Sequence, residues 1–150
     1  MPLLPVPHCQ QHKPGECLAA CAKMALDYLS VPNDYDALVN LLRINEYGGV
    51  FSDLQKLDSL GVAVLVEHGE LETLRSHLES GLPPIALVNT NELPYWDEAT
   101  GHAVVVVGLE GEMIYLNDPA FPDAPKRISA GEFLLAWIDA DQFYALVKLE

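Results

Sequence analysis

Gly101-His-Ala-Val-Val-Val-Val-Gly-Leu-Glu-Gly-Glu-Met-Ile-Tyr-Leu-Asn-Asp118 is the stretch on which the fold turns. Ala103 to Val107 is an almost unbroken β-branched run, and Met113 to Leu116 is a second apolar segment. Joined across Glu110-Gly111, the two read as a β-hairpin. A turn centred there sets His102 opposite Pro119, one step from Asp118. An imidazole and a carboxylate thus become neighbours across a single hairpin, whatever the rest of the chain does.

Working outward, the pattern changes character near Gly61. After it, Val62–Val66, Ile85–Val88 and Phe143–Val147 read as further strands. Helices are predicted between them, from about Glu70 to Ser80, closed by Gly81, and from the capping box Ser129-Ala-Gly-Glu132 through Trp137. Asn89 to Gly101 is a loop without period. Before Gly61 the reading is helical. Leu18, Cys21, Ala25 and Tyr28 recur at helical spacing over residues 17–29, and Pro32-Asn33 stops that segment. Asn33 is the expected cap of a second helix through about Leu42, and Ser52-Asp-Leu-Gln55 has the capping-box form of a third. The fold class is therefore α+β, an N-terminal helical half packed on a C-terminal, mainly antiparallel β-sheet half. No repeat or long linker divides residues 1–150, so a single domain is expected.

The chain has 150 residues, half of them hydrophobic, enough to bury a core. Eight Lys and Arg against 22 Asp and Glu give a net charge of −14. Such a balance argues against nucleic acid or an anionic membrane as partner and leaves basic or neutral partners open. No segment approaches the length of a spanning helix, and Met1-Pro-Leu-Leu-Pro-Val-Pro lacks the basic start of a signal peptide. A cytoplasmic protein without direct membrane insertion is expected. Its three cysteines, with no CxxC, do not make a disulfide framework.

Four polar residues stand out chemically. Cys17 falls at the start of the first helix, just after Pro14-Gly15, where the positive end of the helix dipole favours the nucleophilic thiolate. His102 is the candidate base and Asp118 the group that fixes its tautomer. Gln11, six residues before Cys17, can supply an amide N–H to an oxyanion beside the backbone N–H of Cys17. Tyr95, Trp96 and Gly101 are candidate substrate-binding residues, although packing of the long loop onto the sheet explains Tyr95 and Trp96 equally well.

Gln11-(five residues)-Cys17-Leu-Ala-Ala-Cys21-Ala-Lys-Met24-Ala-Leu-Asp-Tyr28, then Gly101-His102-Ala-Val-Val-Val-Val-Gly108, then Asn117-Asp118-Pro119-Ala120, resembles the bacteriocin-processing cysteine peptidases. These are papain-like domains that cut double-glycine leader peptides. The resemblance spans nearly the whole chain and implies the papain-like fold, with Cys17 as nucleophile, His102 as base, Asp118 as orienter and Gln11 in the oxyanion hole. It implies a peptide or small-protein substrate, one form of which carries a Gly-Gly-type leader, and no cofactor. There are two departures. The family usually has Gly directly after the nucleophile, where this chain has Leu18, and no transporter is attached to these residues.

Other readings use the same residues. Acyl or peptidyl transfer would replace water by an amine or thiol, and a catalytically silent module would keep the fold and grip a peptide. Cys9, His12, Cys17 and Cys21 form a set of soft ligands, but they lack the paired knuckle of a structural zinc site, and a core of this size needs no metal. No metal is expected. Cys21, one turn beyond Cys17 and set among alanines, reads as a packed core residue.

Overall fold

The computed structural model describes residues 2–150. Helices α1 (Cys17–Tyr28) and α2 (Tyr35–Leu41) come first, followed by a 3₁₀ helix (Phe51–Leu60). Then come β1 (Val62–His68), α3 (Leu71–Glu79), β2 (Ile85–Asn89) and a short 3₁₀ turn (Thr90–Glu92). The chain continues through β3 (Gly101–Glu110), β4 (Met113–Asn117), β5 (Lys126–Ser129), α4 (Ala130–Ile138) and β6 (Phe143–Leu149). The strands form one six-stranded sheet in the order β1-β6-β2-β3-β4-β5, and every adjacent pair is antiparallel.

The apolar run that announced β3 is buried from His102 to Leu109 because both faces of the sheet are covered. Side chains alternate across a strand, so Ala103, Val105 and Val107 meet Leu18, Ala22, Met24 and Leu26 of α1 on one face. Val104 and Val106 meet the other face, where Leu74 and Leu78 of α3 and Phe133 and Trp137 of α4 pack. The N-terminal helices therefore lie on one face, and the two later helices close the opposite one. Each fully buried Leu or Val in these layers contributes on the order of 1.5–3 kcal/mol.

Local structure departs from the sequence reading in four places. The second helix is capped by Asp34, whose Oδ2 accepts from the Ala37 amide at 3.0 Å, while Asn33 instead bonds Asp27. The segment after Val50 is a 3₁₀ helix that starts at Phe51, with no side-chain cap from Ser52. Its apolar residues, Phe51, Leu54, Leu57 and Leu60, recur every third position, which suits three residues per turn better than 3.6. Leu54 and Leu57 of this row are fully buried. The hairpin turns on Gly111-Glu112 rather than Glu110-Gly111, because Gly111, with φ +59°, takes the first central position of a two-residue turn. A bulge between Val106 and Gly108 then leaves Val105 opposite Asn117, one residue from the expected register. Finally, β5 lies where the sequence pattern predicts no strand. Its Lys-Arg-Ile-Ser sequence buries only Ile128 and has no apolar alternation to read.

The N-terminal segment is laid across this sheet. The Leu4 amide donates to the Val107 carbonyl at 2.9 Å, and Leu3 covers Gly108 so closely that a β-carbon there would collide with it. The Asn117 side chain donates to the Val6 carbonyl at 3.2 Å, and the Gln11 amide donates to the Pro119 carbonyl at 2.8 Å. These bonds deliver Gln11 to the C-terminal end of β4.

Candidate active site

Cys17 is the first residue of α1, which packs against β3, so helix packing carries the thiol towards the start of that strand. His102 lies one residue into β3 and is 4% exposed, while Asp118 follows β4 and is fully buried. The His102 Nε2–H donates to Asp118 Oδ1 at 2.7 Å. That bond commits Nε2 and leaves Nδ1 uncommitted, with the Cys17 side chain near enough to act on the imidazole electrostatically. Burial pushes the His102 proton affinity down, but the bonds and charges of Asp118 and Cys17 outweigh it and raise the pKa to about 9. Asp118 is likewise opposed by burial, yet its bond to His102, the imidazolium charge, the Trp96 N–H and the Ala120 N–H hold its carboxyl below the usual range.

Asp118 has an unusually full set of donors. Besides His102, the Ala120 amide donates to Oδ1 at 2.9 Å, while the Tyr95 hydroxyl and the Trp96 Nε1–H donate to Oδ2 at 2.8 and 2.9 Å. The Trp96 indole also meets the His102 ring edge-on, centroids 4.8 Å apart.

Gln11, Cys17 and His102 open onto one cleft of about 630 Å³. Trp96, Glu98 and Gly101 form part of one wall and Tyr47, Gly48, Gly49 and Phe51 part of the other. Tyr47 stands 91% exposed at the rim. Gln11 Oε1 is buried and makes no hydrogen bond, and the amide of Cys17, in the first turn of α1, has no partner inside the helix. Of the residues picked out in the sequence, Gln11, Cys17, His102, Trp96 and Gly101 line the cleft. Asp118 lies behind His102, and Tyr95 lies behind the wall with its hydroxyl on Asp118.

Leu18 borders the same cleft. It is buried at 3% exposure, and its Cδ1 would lie 3.2 Å from a β-carbon on Gly49. Cys21 is fully buried in the core beneath α1, and burial pushes its thiol well above the ordinary range. His12 stacks on Tyr35 with centroids 3.7 Å apart. Among the described residues, no three His, Cys, Asp or Glu side chains converge as metal ligands.

Sequence reasoning missed the wall from Tyr47 to Phe51, which only tertiary packing brings to Cys17, and the clamp on the opposite loop. That clamp is Thr90, fully buried, whose hydroxyl donates to the Glu98 carbonyl at 2.6 Å and accepts from the Thr100 amide at 2.9 Å. The Ala120 donor was legible in principle, since an Asp followed two residues on by a free amide is a common turn.

The sequence profile of the Peptidase C39 like family matches residues 3–143. The chain belongs to that family. Three solved structures share the fold of this C39-like chain. One is a double glycine motif protease from an AMS/PCAT transporter, in complex with the leader peptide, at TM-score 0.79 and 22% identity over 99% of this chain and 94% of that one. A C39-like protein from Bacillus anthracis aligns at TM-score 0.81 and 17% identity over 100% of this chain and 98% of that one. The peptidase domain of Streptococcus ComA, a bifunctional ABC transporter of a quorum-sensing pathway, aligns at 0.78 and 17% over 95% and 97%. Among curated proteins, none is similar enough in sequence to match. No helix of the described C39-like chain is long and apolar enough to cross a membrane.

Proposed function

We propose that the protein is a cysteine peptidase that cleaves a peptide or small-protein substrate through an acyl-enzyme on Cys17. The observation that carries this reading is the buried His102–Asp118 pair, 2.7 Å apart, with Cys17 and His102 lining one open cleft. The Cys17 thiolate attacks the scissile carbonyl carbon. The oxyanion is received by the Cys17 N–H and the Gln11 side-chain amide. The His102 imidazolium gives its proton to the leaving amine as the C–N bond breaks. Neutral His102 then takes a proton from water, whose oxygen attacks the thioester, and the released acid regenerates the thiolate and imidazolium.

Among the described residues, Glu98 is the one carboxylate that lines the cleft, and no Lys or Arg does. Together with the net charge of −14 this favours a neutral or basic segment beside that wall. A double-glycine leader, the ligand type of one structural neighbour, is one such segment, and Gly48, Gly49 and Trp96 line the cleft it would enter.

The test is labelling with iodoacetamide combined with product analysis on a mixture of defined peptides. Selective modification of Cys17 with loss of peptide cleavage supports the reading. A protein that binds peptides without cleaving them, and shows no selectivity for Cys17, is a silent binding module. Products that carry an added amine in place of the new carboxylate would make it a transferase.

A further inference from the structure

Asp118 Oδ2 takes no part in the bond to His102, yet it is fully occupied. Two adjacent side chains on the loop between the Thr90–Glu92 turn and β3 reach it, the Tyr95 hydroxyl at 2.8 Å and the Trp96 indole N–H at 2.9 Å. The loop is built to hold them there. Thr90 closes it at both ends through the Glu98 carbonyl and the Thr100 amide. Phe121 packs edge-on against both rings, with centroids 5.4 Å from Tyr95 and 5.5 Å from Trp96. The Phe121 carbonyl is bound by His8 at 2.7 Å, and the Lys126 ammonium sits 4.7 Å over its ring. Packing alone would not need both polar ends of two large aromatics to converge on one carboxylate oxygen.

We propose that Tyr95 and Trp96 are positioning residues that set the strength of the Asp118–His102 bond, a reading that rests on the peptidase assignment above. A carboxylate that donates electron density to two extra N–H or O–H groups is a weaker base towards the third. The two aromatics therefore hold Asp118 charged and aligned, and they keep it from gripping the imidazolium proton too tightly to be given to a leaving amine. The division of labour is visible in their placement. Trp96 also forms cleft wall, so it touches bound peptide, whereas Tyr95 lies behind the wall and reaches the reaction only through Asp118.

The experiment is an NMR titration of the His102 imidazole in protein labelled with ¹⁵N-histidine, for wild type, Tyr95→Phe and Trp96→Phe. It needs no substrate. Loss of one donor should raise the His102 midpoint by about half a pH unit, and loss of both by more. With a cleaved peptide in hand, Tyr95→Phe should lower kcat about 10-fold with KM unchanged, and Trp96→Phe should change both. Thermal melts identify a variant that fails to fold. If Tyr95→Phe is that variant, Tyr95→Leu takes its place, because Trp96 also packs on the His102 ring and its loss reaches the midpoint by a second route. A folded Tyr95→Phe protein with an unmoved midpoint overturns the proposal. A midpoint that rises in a protein that cleaves no peptide sustains the positioning role and removes the peptidase reading instead.

Discussion

Leu18 and Gly49 interlock: a β-carbon on Gly49 would come within 3.2 Å of Leu18 Cδ1 and 3.0 Å of Ile44 Cγ1. The large residue after Cys17 is accommodated because the turn facing it has no side chain at that position. Gly49→Ala should therefore destabilise the protein by about 1–3 kcal/mol, through overpacking. Leu18→Ala leaves a cavity and should cost about 2–5 kcal/mol. The double variant should lose less than the sum, since each change makes room for the other. Chemical denaturation of the four proteins reads the coupling, and strict additivity would show that the two residues do not share space.

Cys17→Ala should abolish peptide cleavage and iodoacetamide labelling while leaving the melting curve near that of wild type, because the side chain lies at a helix start and only partly buried. Cys21→Ala should retain activity and lose about 1 kcal/mol of stability, having no solvent access and full core contact. The reverse pattern would move the nucleophile to Cys21.

Asp118→Asn should lower kcat by about 10–10⁴-fold, and His102→Ala by at least as much. The double variant should be no worse than His102→Ala, because an orienting carboxylate has no role once the imidazole is gone. His102→Ala should also slow alkylation of Cys17, since the base beside the thiol is gone. Multiplicative losses in the double variant would show that the two residues act independently, despite their 2.7 Å bond.

The same pair makes stability depend on pH. His102 is raised from 6.5 to about 9 in the folded protein, burial being outweighed by Asp118 and Cys17. Its contribution is complete below pH 6.5 and is lost as pH rises through about 9, amounting to a few kcal/mol at most. Asp118, depressed below 3.8, contributes above that value and loses its contribution on further acidification. The melting temperature should fall between pH 6.5 and 9, and His102→Ala should flatten that fall. An unaltered slope in the variant would locate the pH dependence elsewhere.

Purified protein should hold no stoichiometric zinc, and a chelator should change neither its melting temperature nor its activity. One zinc per chain, lost together with the fold, would revive Cys9, His12, Cys17 and Cys21 as a ligand set.

The parts of the fold that the sequence made legible are those where local pattern and burial agree. The run Ala103–Val107 is β-branched because both of its faces are covered, and the Ser129 capping box forms as written, with Ser129 Oγ accepting from Glu132 N at 3.1 Å and Glu132 Oε1 accepting from Ser129 N at 3.0 Å. The juxtaposition of His102 and Asp118 was readable because one hairpin imposes it, and a one-residue register error does not separate them. What escaped depends on contacts distant in sequence. Lys126–Ser129 becomes a strand only by pairing with β4, and the Tyr47–Phe51 wall reaches the cleft only when Gly15 and Gly48 pack together. The sequence showed two aromatics on a loop, but their polar ends could find Asp118 only after that loop was folded back.

Strand β6 is bonded to β1 on one side and to β2 on the other, so residues 143–149 occupy the interior of the sheet. β1, from the middle of the chain, finds its partner only when that stretch has been synthesised, whereas β2, β3, β4 and β5 pair mostly with near neighbours in sequence. Loop-closure entropy therefore favours the meander that carries His102 and Asp118 over the β1–β6 pairing, which spans most of the later chain. A ribosome-bound or truncated chain ending before residue 143 would leave β1 solitary and the flank of β2 open to pairing with other chains.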